Sequence, residues 1–166
     1  MTGLLPLPGE LAGIILLSLF VSGVAILVSM LVGVPVGIFL GLHRFPGRAF
    51  LVTLVNTGMG LPPVVVGLGV FLLLARSGPL GGLDLLYTPW AMVLAQVVIA
   101  TPLVVGITLA AIQGLDARLH LQILSLGAST RQLYVKLVKE ARLSLVAALA
   151  AGFGSIISEV GAVMMV

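Results

Sequence analysis

Residues 11–42 read LAGIILLSLFVSGVAILVSMLVGVPVGIFLGL and contain no Asp, Glu, Lys or Arg. As one α-helix this run would be about 48 Å long, whereas the hydrocarbon core of a bilayer is about 30 Å thick. It therefore predicts a membrane-spanning helix with apolar residues to spare. We expect the embedded part to begin near Ile15 or Ser18, with residues 4–12 at the interface, and tilt or a bend at Pro35 to absorb the excess length.

The rest of the chain follows the same pattern. Uncharged runs cover residues 49–75, 85–115 and 143–158, and the last is long enough for a span of roughly 20 residues if it continues through Glu159. Only 8% of the 166 residues are charged, against about 25% in a typical soluble domain. We predict an all-α integral membrane protein, a polytopic helical bundle forming one domain over residues 1–166. Its spans are expected at about 15–42, 49–75, 86–114 and 143–165, with a loop at 116–142.

The distribution of positive charge among the loops predicts how the chain is oriented across the membrane. Seven of the eight Lys and Arg residues lie in the segments 43–48 and 116–142, and only Arg76 lies in the segment 76–84. Cytoplasmic loops carry an excess of Lys and Arg. We therefore expect loop one (43–48) and loop three (116–142) in the cytoplasm, and loop two (76–84) and the N-terminus outside.

Several kinds of chemistry lack support in this sequence. There is no cysteine, His43 and His120 have no second ligand at metal spacing, and no GxxxxGK[ST] phosphate loop occurs. A pI near 10 would suggest nucleic acid as the partner of a soluble protein, but here the positive charges flank membrane spans. We predict no enzymatic activity, cofactor, metal or nucleic-acid partner, so ATP-driven transport would need a separate ATP-binding subunit.

Small residues form stripes on two of the predicted spans. Gly33, Gly37 and Gly41 recur at a spacing of four, so one helical face has no side chains to keep a neighbouring backbone away. We expect this face to pack tightly, as a static contact or as a moving contact of a transporter. A similar stripe, with the same two interpretations, is formed on the fourth span by Ala147, Ala151 and Ser155.

The second span contains a predicted break. Pro62 and Pro63 remove two backbone donors, and each proline disfavours helical geometry in the residue before it. Irregular backbone at membrane depth needs protein or a water-filled cavity beside it. The break is either a lining of a translocation pathway or a structural kink, and at Thr101-Pro102 a kink is the favoured interpretation. The candidate pathway residues are Asn56, Thr57, Gly60, Pro62, Pro63 and Gly67.

Glu159 is the acid placed deepest in a predicted span. A carboxylate there is costly unless it is paired, protonated or near the interface. It is either a proton relay or an interfacial, helix-packing acid. The second interpretation is open because the 17 positions from Arg142 to Glu159 correspond to about 25 Å of helix, which would bring Glu159 close to the external headgroups.

Loop three is amphipathic. The sequence from Leu121 predicts a short helix, a turn at Gly127 and a second helix with apolar Leu133 and Leu137 on one side. Arg131, Lys136 and Lys139 are left for water or lipid phosphate. From physics alone the second helix is either a docking element for a partner or an interfacial helix.

These segments carry a family resemblance. Leu126-Gly127-Ala128-Ser129 resembles the centre of the EAA loop in permease subunits of binding-protein-dependent ABC importers, the tungstate permeases in particular. Further similar segments occur in the same order, at residues 56–68, 76–81 and 157–163. Leu121-Gln122-Ile123 departs from the general Glu-Ala-Ala, and Lys139-Glu140 replaces Leu-Pro, although residues 139–142 resemble the tungstate branch.

The resemblance implies a homodimeric permease in the cell (inner) membrane. Loop three would couple it to a cytoplasmic ATP-binding subunit, and an external binding protein would deliver an oxyanion, which we expect to be tungstate. Molybdate, sulfate or phosphate, and a proton-coupled secondary carrier using Glu159, are the alternatives. Similar permeases have at least one more span, so we expect the chain to lack a C-terminal part. The residues implied to couple are Leu126, Gly127, Ala128, Ser129 and Gln132.

Overall fold

The computed structural model describes residues 8–158, apart from the side chains of residues 8–11, 117, 120, 121 and 130. The predictions for Glu159 and for the end of the fourth span lie outside the described residues. Seven α-helices and one short 3₁₀ helix are found in the described range. They are α1 (Pro8–Leu42), α2 (Arg48–Met59), α3 (Pro63–Leu74), the 3₁₀ helix (Gly81–Leu83), α4 (Pro89–Gln113), α5 (Ala117–Ser125), α6 (Thr130–Glu140) and α7 (Arg142–Ser158).

Between two and four of these elements qualify as membrane spans. Ala12–Leu42 of α1 and Pro89–Gln113 of α4 are each long and apolar enough to cross a bilayer alone. The other candidates are bent pairs: α2 meets α3 at 105°, and residues 131–140 of α6 meet α7 at 67°. The predicted all-helical membrane class is therefore confirmed, while the predicted span boundaries stay predictions. The helix α1 continues through Pro35, and α4 continues through Pro102.

The glycine stripe of α1 packs against α4, as its spacing predicts. A Cβ atom built on Gly33 would lie 2.8 Å from Val104, and one built on Gly37 would lie 2.7 Å from Thr108. On Gly41 it would lie 2.7 Å from Ile112. Real Cβ atoms do not approach this closely, so the two backbones are as near as glycine permits. This contact, together with buried side chains along both helices, makes α1 and α4 the central pair of the bundle.

Within the described residues, the predicted stripe on the fourth span does not face the bundle. Ala147 and Ala151 are exposed and Ser155 is half-buried, whereas Leu145, Ala148, Gly152 and Ile156 face the bundle. The sequence contains two neighbouring stripes of small residues, one residue apart, and spacing alone does not distinguish them. The larger Ile156 decides the orientation, because it joins Ile26 and Val104 in the core.

Polar side chains also link α1 to α4. Thr101 Oγ1 donates to the Val97 carbonyl oxygen at 2.7 Å, and Ser29 Oγ lies 3.4 Å from both that carbonyl oxygen and Thr101 Oγ1. Pro102 follows directly and packs its ring against Gly58 of α2, where a built Cβ would lie 2.9 Å from Pro102 Cγ. Thr101-Pro102 therefore holds α4 against a helix on either side.

Candidate functional site

The predicted break in the second span is a sharp bend between two short helices. The helix α2 ends at Met59, and α3 begins after Pro62, whose backbone is extended with φ −61° and ψ 130°. Pro63 imposes that geometry on Pro62 and suits the first turn of a helix, because it has no N–H to pair. Turn hydrogen bonds from Gly60 N to Thr57 O (3.0 Å) and from Val65 N to Pro62 O (2.9 Å) satisfy part of the freed backbone.

A cavity of about 320 Å³ lies beside the bend. Residues 58–63 and Val66 form one side of it, Ile99 and Leu103 of α4 form another, and Ser155 of α7 contributes a hydroxyl group. No charged side chain is among these lining residues. The cavity therefore offers backbone groups and one hydroxyl to a solute, at a point where three parts of the chain meet. We call it the bend cavity.

The structure brings some of the predicted pathway residues to this cavity. Gly60, Pro62 and Pro63 line it, while Asn56 and Thr57 are exposed on α2 outside its lining, and Gly67 is buried within α3. The contributions of Ile99, Leu103 and Ser155 were missed at the sequence level. They depend on which faces of α4 and α7 meet the bend, and helical periodicity does not report the pairing of faces between helices.

Loop three folds as the predicted pair of helices around a turn. Gly127 has φ +74°, a left-handed conformation that strains any residue with a Cβ. No atom of the residues that the structure describes lies within 4 Å of a Cβ built on Gly127, so its requirement for glycine is conformational rather than steric. The helix α6 then starts with a capping box, in which Gln132 Oε1 accepts from Ser129 N at 2.8 Å and Ser129 Oγ accepts from Gln132 N at 3.4 Å.

The turn opens a groove of about 640 Å³ between the two helices, which we call the α5–α6 groove. Leu126, Gly127, Ala128 and Gln132, four of the five residues implied to couple, line it, and Ser129 caps α6 beside it. The Leu126 side chain is 85% exposed at the apex of the turn. A large apolar side chain held by a rigid, capped turn is suited to contact another protein.

The opposite face of α6 is fixed to the membrane helices. Leu133 and Leu137 are buried and cluster with Ile38 of α1 and Ile112 of α4. Arg131, Lys136 and Lys139 are exposed, as the amphipathic pattern predicts. The helix that follows the turn is therefore connected through packed side chains to the C-terminal parts of α1 and α4.

Two buried polar groups of α4 were not singled out from the sequence. Gln96 Oε1 and Thr108 Oγ1 are buried and have no hydrogen-bond partner among the residues that the structure describes. Thr108 is the residue that contacts Gly37, so close helix packing leaves no room for a partner there. Among residues 8–158, no group of three or more His, Asp or Glu side chains could hold a metal ion.

Comparisons with known proteins place these features in a wider context. Residues 33–166 match the family model described as "Binding-protein-dependent transport system inner membrane component". A "Probable anion ABC transporter permease protein" of Haloferax volcanii is 41% identical over 156 residues, which are 94% of this chain and 67% of that protein.

Two further relatives carry more specific names. The "Tungstate uptake system permease protein TupB" of Peptoclostridium acidaminophilum is 37% identical over 153 residues, 92% of this chain and 67% of that protein. The "Molybdenum transport system permease protein ModB" of Escherichia coli is 34% identical over 121 residues, 69% of this chain and 53% of that protein. This chain thus spans from about half to about two thirds of the length of these relatives.

Proposed function

Because this chain belongs to the family of binding-protein-dependent transport system inner membrane components, we propose that it forms the translocation pathway of an ATP-driven importer for tungstate. Membership in this family confirms the predicted relationship to ABC permeases and the predicted role as a transport subunit rather than an enzyme. A multi-pass location in the inner membrane follows from the same membership together with the apolar helices.

The proposed substrate class rests on the relatives and on the chemistry of the bend. The relatives are named for an unspecified anion, for tungstate and for molybdenum. Backbone N–H groups and hydroxyl groups can solvate an anion, and the uncharged lining of the bend cavity avoids the repulsion that a carboxylate would cause. Tungstate and molybdate are tetrahedral dianions of similar size, so we assign the choice between them to the binding protein.

The proposed partners follow from the type of system. A binding-protein-dependent system includes a separate binding protein, which we place outside the membrane, and an ATP-binding subunit, which we place in the cytoplasm at loop three. We further propose that two copies of the chain form the pathway. The exposed Asn56 and Thr57 on α2 would then be available to line a passage between the copies.

The observation that carries the coupling role is the left-handed Gly127 turn with Leu126 exposed beside it. Replacing Gly127 by Val adds strain of about 1–2 kcal/mol to this conformation, enough to change a coupling equilibrium about tenfold. We expect the Gly127→Val transporter to hydrolyse ATP while tungstate uptake falls by about tenfold. The measurement compares both rates in proteoliposomes that contain the ATP-binding subunit and the binding protein.

Gly47 provides a matched control. It also has a positive φ, +89°, and open space around a built Cβ, but it lies in loop one. Gly47→Val should therefore reproduce the backbone strain and leave the ratio of uptake to ATP hydrolysis unchanged. Normal uptake by Gly127→Val would refute the coupling role. Uptake driven by a proton gradient without the ATP-binding subunit would instead support the secondary-carrier alternative.

A further inference from the structure

A second groove, with apolar walls, lies between α1 and α6. We call it the α1–α6 groove, and its volume is about 660 Å³. Its walls include Val36 and Phe39 of α1, Leu51 of α2, and Tyr134 and Val138 of α6. No carboxylate is among the residues found to line it. The groove is therefore suited to an apolar group rather than to a polar solute.

One hydrogen bond and the spacing of residues along α6 place two arginines towards one end of this groove. Arg48 Nε donates to the carbonyl oxygen of Leu40, a lining residue, at 2.7 Å, which fixes the guanidinium group and leaves its outer N–H groups available. Arg48 also precedes the lining residue Leu51 by three positions, so both lie on the same face of α2. The arginine is therefore held at the groove by a contact of its own.

The helix α6 contributes a second arginine, which is placed by its spacing along the helix. Arg131 precedes Tyr134 by three positions and Val138 by seven, so it shares their face of the helix and lies at its N-terminal end. The His43 ring lies between the two sides, with its centroid 4.6 Å from that of Phe39 and 6.4 Å from that of Tyr134. The groove thus combines an apolar trough with two arginines and a histidine at one end.

We propose that the α1–α6 groove binds an anionic phospholipid, with an acyl chain along Val36 and Val138 and the phosphate group between Arg48 and Arg131. Guanidinium groups pair well with phosphate oxygens, and basic pockets between membrane helices suit anionic headgroups. A zwitterionic lipid such as phosphatidylcholine brings the same phosphate group but places a choline cation beside the two arginines, which weakens the attraction. Inorganic phosphate would leave the apolar trough empty. The proposal does not depend on the transported substrate.

Charge also argues against a second copy of the chain as the occupant. Of the acids whose side chains the structure describes, Asp84 lies in loop two and Asp116 caps α5 by accepting from Arg118 N. Glu140 lines the α5–α6 groove, on the other side of α6. None of these carboxylates lies on an apolar face that could fill the trough and pair with the arginines together.

The experiment measures lipid that stays bound to the full chain. The protein is reconstituted in vesicles of phosphatidylcholine and phosphatidylglycerol, re-extracted in detergent, and analysed by native mass spectrometry. We expect phosphatidylglycerol to be retained in preference to phosphatidylcholine. Arg131→Gln should lower this preference about fivefold, the effect typical of one cation near a membrane surface. Arg48→Gln should also lower the preference for phosphatidylglycerol. If loss of the hydrogen bond from Arg48 to Leu40 impairs folding, the Arg131→Gln variant still tests the proposal.

Lys136→Gln is the matched control, because Lys136 is an exposed cation of the same helix that lines the other groove. Its lipid preference should equal that of the unaltered chain, and an equal loss in Lys136→Gln and Arg131→Gln would overturn the proposal in favour of general surface charge.

A photo-reactive residue at Val36 provides the second test. Cross-links to phospholipid support the proposal, and cross-links to a second copy of the chain overturn it.

Discussion

At the scale of single residues, Gly37 shows how closely α1 and α4 approach each other. A Cβ atom built there would lie 2.7 Å from Thr108 Cβ and 2.9 Å from the Val105 carbonyl oxygen. Because one of these neighbours is backbone, the clash cannot be relieved by rotating a side chain. We expect Gly37→Val to destabilise the protein by about 1–3 kcal/mol, the usual effect of overpacking. Thermal unfolding of the purified protein in detergent measures this.

Gly23 is the internal control for this substitution. It lies in the same helix, but no described part of the chain comes within 4 Å of a Cβ built on it. Gly23→Val should therefore leave the unfolding temperature almost unchanged. Helix propensity favours valine over glycine at both positions, so it cannot destabilise either variant. Equal destabilisation by the two substitutions would therefore mean that contact with α4 does not set the requirement for glycine at Gly37.

At the scale of helices, the bend between α2 and α3 leads us to predict that water reaches the bend cavity. Leu61 lies in the bend, lines the bend cavity and is 45% exposed, whereas Leu31 on α1 is 77% exposed on an apolar helix surface. Since the chain has no cysteine, a single introduced cysteine is the one site for a thiol reagent. We expect Leu61→Cys to react with a water-soluble maleimide at least about tenfold faster than Leu31→Cys, because thiolate forms in water and not in hydrocarbon. Equal rates would mean that the bend cavity is dry.

The helices also show which features can be predicted from sequence. The α1 stripe was predictable because its three glycines repeat every four residues and have no competing stripe, and the bend was predictable because consecutive prolines have a local effect. The orientation of α7 was not predictable from sequence. Two neighbouring faces of this helix, one starting at Ala147 and the other at Ala148, each begin with two small residues at a spacing of four. The contributions of Ile99 and Leu103 to the bend cavity required the packing of α4 against α2, and the anchoring of α6 on Ile38 and Ile112 required contacts distant in sequence.

At the scale of the whole molecule, the proposed orientation can be tested with the same cysteine-free background. Ser77 lies in loop two and Ser125 at the end of α5, and both are exposed. With loops one and three in the cytoplasm, we expect Ser77→Cys to be labelled in intact cells by a membrane-impermeant maleimide. Ser125→Cys should be labelled only after the membrane is opened. The reverse pattern would place loop three outside and remove it from contact with an ATP-binding subunit.

The glycine contact between α1 and α4 also limits how the molecule can move. Each glycine of α1 leaves a gap that one side chain of α4 occupies, and the spacing is four residues on both helices. The three side chains are Val104, Thr108 and Ile112. A small axial slide would drive these side chains against the larger residues between the glycines. The pair can therefore move as one rigid body or advance by one whole repeat, about 6 Å for four residues of helix. Gradual sliding between these two helices therefore meets steric resistance.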